Sequence, residues 1–168
     1  MSEPEEKLIE EKLRIEKRLK SGAAWFYWIA GLSIINSIIL LYGSEWGFIV
    51  GLGITQIIDA IGLAVAEEVG VAGKIIALVL DCLVAGIFVV FGVFAMKKYK
   101  WSFIVGMILY CLDGLLFLLV MDILSIGFHV FALFCIFGGF KAIDKLREFE
   151  RPQSPESQLP SEFEVEQL

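Results

Sequence analysis

Basic residues are almost missing from the middle of this 168-residue chain. Between Ala23 and Phe140 only Lys74, Lys97, Lys98 and Lys100 carry positive charge. They border apolar runs instead of forming a separate face, which excludes nucleic acid as a partner. Cysteine is scarce too. Cys82, Cys111 and Cys135 each lie inside an apolar run without a Cys-x-x-Cys pair, so neither a zinc site nor thiol redox chemistry is expected. They read as small buried hydrophobes. No short apolar core with an Ala-x-Ala-like site follows Met1 to Lys20, so the first apolar segment is expected to be retained as an anchor.

Catalytic signatures are also lacking. There is no His-Glu-x-x-His, Gly-x-Ser-x-Gly or phosphate-binding loop, and each of those chemistries depends on its spacing. The Tyr-Asp plus Gly-x-Gly-Asp pattern of intramembrane aspartyl proteases is not reproduced at Tyr110 to Asp113 or at Gly51 to Gly53. No catalytic residue, metal or cofactor is therefore expected.

What the chain does have is apolar sequence. It is 58% hydrophobic with a mean hydropathy of +0.78, against about 45–50% apolar residues in soluble domains. The net charge of −6 says little, because the acids concentrate in the last residues. Residues 3–20 hold strong helix formers, acids first and bases last, with Glu10/Arg14 and Glu16/Lys20 spaced as i,i+4 pairs; this predicts a charged helix aligned with its own dipole.

Four apolar segments follow: Ala23 to Tyr42, Trp46 to Ala66, Ile75 to Met96, and Trp101 to Phe140. A membrane span needs about 20 residues, so the last run holds two helices with a turn near Asp122 and Ser125. Charge placement decides the status of Trp46 to Ala66. If that segment does not span, thirteen of the fourteen Lys and Arg residues fall on one side and only Lys74 on the other, as the positive-inside rule requires. The expected fold is all-α: an integral membrane protein with four transmembrane helices plus a re-entrant or interfacial helix, the alternative being five spans. Both termini are then cytoplasmic, at a plasma or bacterial inner membrane. The organisation is a juxtamembrane helix over residues 1–21, a transmembrane domain over 22–146, and a disordered acidic tail over 147–168.

Asp81 and Asp113 stand out within this frame. An acid at mid-membrane costs about 2.5–3.5 kcal/mol, so each needs a partner, a proton or a purpose. Counting about 1.5 Å per helical residue from the outer turns, Asn36, Asp81 and His129 lie about 10 Å deep and Asp113 about 13 Å. These four are the candidate polar cluster, with Gln56 and Asp59 as its lid. Gly47, Gly51, Thr55 and Asp59 recur every four residues and make one small, polar helix face. Lys97, Lys98, Lys100 and Trp101 form a candidate lipid-headgroup contact.

The polar groups support a packing role, in a structural, regulatory or partner-binding membrane protein without catalysis. The second reading is a proton- or cation-translocating component using Asp81 and Asp113. The expected partners are the bilayer and either a second copy or another membrane protein.

Overall fold

The computed structural model describes residues 3–42 and 51–150. Trp46, Gly47 and the chain beyond Glu150 lie outside them. Five helices follow one another: α1 (Glu3–Leu41), α2 (Gly53–Val69), α3 (Val71–Met96), α4 (Lys100–Leu119) and α5 (Ile123–Glu150). Four of them, α1, α3, α4 and α5, are long and apolar enough to cross a membrane. The 17-residue α2 is about 25 Å long at the helical rise.

The charged N-terminal stretch and the first apolar segment are one continuous helix. No proline interrupts it after Pro4, and its buried positions Ile15, Leu19, Ala23, Phe26, Ile29, Ser33 and Ser37 keep a single helical stripe. At the other end, α5 continues through residues 147–150, the first four assigned to the tail. Leu146 is buried and Phe149 packs against the core, which holds that last turn in place.

Short links make α3, α4 and α5 antiparallel neighbours. Lys98 (φ 66°) and Met121 (φ 53°) occupy the left-handed region. Each closes a helix with paired bonds: Tyr99 N–H to Phe94 O with Lys98 N–H to Ala95 O, and Asp122 N–H to Phe117 O with Met121 N–H to Leu118 O. This is the Schellman arrangement, which satisfies the orphan carbonyls of a helix end. Asp122 then caps α5, accepting the Ser125 hydroxyl at 2.6 Å and the Leu124 and Ser125 N–H groups at 3.2 Å. The Asp122/Ser125 turn expected from sequence is therefore a built helix start.

Packing is by glycine and aromatic contact. α1 packs against α3 and α5, α2 against α3, and α4 against α5. A Cβ on Gly22 would lie 2.5 Å from the Gly139 Cα, so the α1 and α5 backbones touch. Small residues permit this approach. Phe26 fills the space over Gly106 and meets Phe91 and Phe103 at the centre. The outward faces are apolar as well: Leu83 is 64% exposed, Val130 62% and Phe134 73%. Surfaces of that extent are rare on water-facing proteins.

At one end of the bundle lie the bases of α1, those of the α3/α4 turn, and Lys141, Lys145 and Arg147. Lys74 lies toward the opposite end, near the α2/α3 turn. At the basic end Lys98 pairs with Glu150 at 2.9 Å, and Lys100 pairs with Asp144.

Two outcomes test this description. Gly22→Ala is expected to destabilise the fold by about 1–3 kcal/mol through overpacking, whereas Gly31→Ala, with nothing within 4 Å of the added carbon, should be neutral or mildly stabilising; thermal unfolding in detergent distinguishes them. The Ser125 hydroxyl and neighbouring N–H groups hold the Asp122 carboxyl below its ordinary value. Its contribution is therefore present above the unfolded carboxyl pKa and lost as pH falls through the lower folded one. Asp122→Ala should cost about 0.5–2 kcal/mol at neutral pH and nothing in strong acid, read from unfolding curves at both pH values.

Candidate functional site

A helix start leaves backbone N–H groups without partners, and that of α2 is buried. Leu52, at its N-cap, offers no side-chain cap. Other helices supply the acceptors. The Leu52 N–H donates to Ser33 Oγ of α1 at 2.9 Å, while that hydroxyl donates onward to Ile29 O. The Gly53 and Ile54 N–H groups donate to Asp113 Oδ2 and Oδ1 of α4, at 2.8 and 2.9 Å. One carboxylate thus caps a helix sixty residues away, with the helix dipole favouring its charge.

His129 of α5 completes the group. Its Nε2 lies 3.0 Å from Asp113 Oδ2 and its Nδ1 2.8 Å from Ser125 O. A carbonyl only accepts, so Nδ1 carries a hydrogen, an assignment made from the hydrogen-bond network. The other ring nitrogen, Nε2, is then the one that meets the Asp113 carboxyl. Tyr110 stacks on the imidazole at 4.3 Å between centroids, Phe117 tilts against it at 5.0 Å, and Gly114 leaves the room that a Cβ would take 3.1 Å from the ring. Four helices meet at this point.

Asp81 lies elsewhere. α2 and α3 are joined through Gly70 alone (φ 69°), and they fold back with Gly62 against Gly73 and Ala77 so closely that a Cβ on Gly62 would lie 2.4 Å from the Ala77 Cβ. Asp59 and Asp81 sit equally far on either side of Gly70, so the hairpin brings them to one level. Asp81 is 0% exposed and Asp59 7%. The polar groups facing Asp81 are Ser37 of α1 and Asp59 of α2. Yet neither Asp81 oxygen, nor Asp59 Oδ2, nor Ser37 Oγ makes a hydrogen bond among the described residues. Next to Ser37 and Asp59, though not lined by Asp81, is a cavity of about 10 Å³ whose walls include Lys74 and Ala77, about the space of one water-sized particle.

The candidate residues thus resolve into two groups. Asp113 and His129 are bonded to each other, whereas Asp81 faces Asp59. Asn36 is buried beside Gly51, its Oδ1 unpartnered among the described residues. Gln56 is half-buried on α2, while Asp59 points inward. Thr55, Asp59 and Gly62 form the buried face of α2; Gly47 of the same stripe is outside the described residues. Lys98 and Lys100 are ion-paired, Lys97 lies over the Phe94 ring at 6.0 Å, and Trp101 is 46% exposed against Phe91 and Phe94.

Ser33, Ser37 and Tyr110 went unflagged in the sequence. Ser33 and Ser37 share a helix face with the flagged Asn36, and Tyr110 stands one turn before Asp113, so helical spacing carried the signal. The backbone donors of residues 52–54 left no trace in side-chain identity. Comparison with protein families, curated proteins and solved structures finds no match to this chain.

Asp113→Ala should cost about 3–5 kcal/mol, the usual result of stripping one partner from a buried charged network, and should expose the Gly51 end of α2 to protease. Chemical unfolding and limited proteolysis measure the two effects; a variant with wild-type stability and cleavage pattern would remove Asp113 from this role.

Proposed function

We propose that the chain is an integral membrane protein that takes up one proton or one small monovalent cation between α2 and α3. Membrane placement rests on four spanning-length apolar helices and on their apolar outward faces. The concentration of bases at one end makes that end cytoplasmic by the positive-inside rule, with Lys74 on the outer side. Gly51 lies beside Ser33, about 12 Å back along α1 from its Leu41 end. The chain therefore returns into the bundle before α2 climbs out again, the path of a re-entrant helix.

The observation that carries the ion reading is the unpartnered Asp81 carboxyl facing Asp59. Two like charges so placed in an apolar interior cannot both stay uncompensated. Lys74 lines the adjacent cavity but forms no ion pair with either carboxyl among the described residues. One proton shared by the pair, or one monovalent cation, removes the repulsion. A divalent ion fits less well, since no group of three His, Cys, Asp or Glu among the described residues could hold a metal. Asp113 takes no part in this uptake, because its oxygens already serve α2 and His129. It fulfils the packing role instead, so the two aspartates of the translocation reading divide between two tasks.

The test is the thermal stability of purified protein against pH and against Na⁺, Li⁺ and K⁺ at constant ionic strength. A ligand bound only by the folded state adds about 1.4 kcal/mol at ten times its Kd. Wild type should be stabilised by one of these cations or by acidification. Asp81→Asn should stay folded and lose that response, since its amide can donate to Asp59. Identical, ligand-independent curves for the two proteins would reduce the pair to packing.

A further inference from the structure

At the opposite end of the bundle, the N-terminal half of α1 and the C-terminal half of α5 leave a cavity of about 550 Å³ between them. Arg14 and Arg18 of α1 face Lys141 and Lys145 of α5 across it, with Glu11 the one acid on the rim. Arg14 approaches Glu11 at 3.9 Å. Arg18, Lys141 and Lys145 form no salt bridge among the described residues, in contrast to Lys98 and Lys100. Four cations thus surround one space with a single counter-charge.

Gly138 lines both this cavity and its neighbour, with the Arg18 guanidinium lying over it. A second cavity, about 360 Å³, shares Arg14, Arg18 and Gly138 with the first, adds Lys17, and extends to Ser21, Phe134 and Cys135. Bases thus line one side of the trough along its length, and its far end reaches the apolar flank of α5 at Phe134. Arginine suits phosphate oxygens, which it can bind through two parallel N–H groups.

We infer that this trough is a binding site for the phosphate headgroup of an anionic phospholipid, with the acyl chains lying along the Phe134 side. The trough matches the ligand: phosphate among the bases, hydrocarbon where its far end turns apolar. A free phosphate would use the first cavity and leave the second without a role. The inference rests on the membrane placement proposed above but is independent of the Asp59/Asp81 pair.

The experiment uses full-length protein in nanodiscs and in detergent. Membrane placement is checked first, by co-purification of the protein with bilayer lipid. Binding of phosphatidylglycerol is then measured against phosphatidylcholine by thermal shift and by native mass spectrometry. Each basic residue near a lipid surface is worth about fivefold in affinity, so Arg18→Gln/Lys141→Gln should weaken phosphatidylglycerol binding about 25-fold, while Lys12→Gln, exposed on α1 and outside both cavities, leaves it unchanged. Equal binding of both lipids, or an unaltered affinity in the double variant, overturns the site while leaving the membrane placement intact. Stabilisation by inorganic phosphate alone, equal to that by phosphatidylglycerol, assigns the trough to a free anion and overturns the lipid. Lipid binding that emerges only after removal of residues 153–168 assigns the trough to the chain's own acidic tail and overturns it likewise.

Discussion

The arrangement of this bundle depends on one carboxylate. A helix that starts inside an apolar interior exposes donors that the surrounding hydrocarbon side chains cannot satisfy, each costing about 1–3 kcal/mol if left unmade. Asp113 accepts two of them and Ser33 a third. Because Asp113 also meets His129, and His129 is held by Ser125 O, the start of α2 is fixed to α1, α4 and α5 together. The fold can tolerate a helix that stops partway through because its first turn ends on side chains chosen to receive it.

The same constraint separates the two aspartates. Asp113 is surrounded by donors: two amides and an imidazole, so its charge is compensated within the protein. Asp81 faces a hydroxyl and another carboxyl, and neither of its oxygens is hydrogen-bonded among the described residues. Burial alone makes the two residues look equivalent. Their hydrogen-bond partners separate them: one is tied into the start of α2, the other is left facing a second acid.

Much of the architecture was legible because the helices are long and apolar on their outward faces as well as their inward ones. Their number and the charge asymmetry at their ends follow from the sequence directly. The turn at Asp122 and Ser125 was legible for the same reason: a capping residue interrupts an otherwise unbroken run. The site was legible only in part. Depth counted along helices put Asn36, Asp81 and His129 at one level with Asp113 about 3 Å deeper, but level says nothing about azimuth, and Asp81 faces α2 while Asp113 faces its N-terminus. Asp59 appeared as a lid because its segment was read as lying over the bundle, whereas the one-residue Gly70 link turns it inward. The capping of α2 was invisible, since half of that interaction is backbone.

The separation in sequence between the two halves of that cap has a consequence for biosynthesis. Gly53 leaves the ribosome sixty residues before Asp113, and Asp113 is followed by a further helix before His129 can reach it. During elongation, the first turn of α2 has Ser33 to bond with but no carboxylate. A nascent chain that has completed α1, α2 and α3 therefore holds a two-helix hairpin whose inner end is not yet anchored. The start of α2 can settle only after α4 arrives, so the last helices to be made determine when one of the earliest takes its final position.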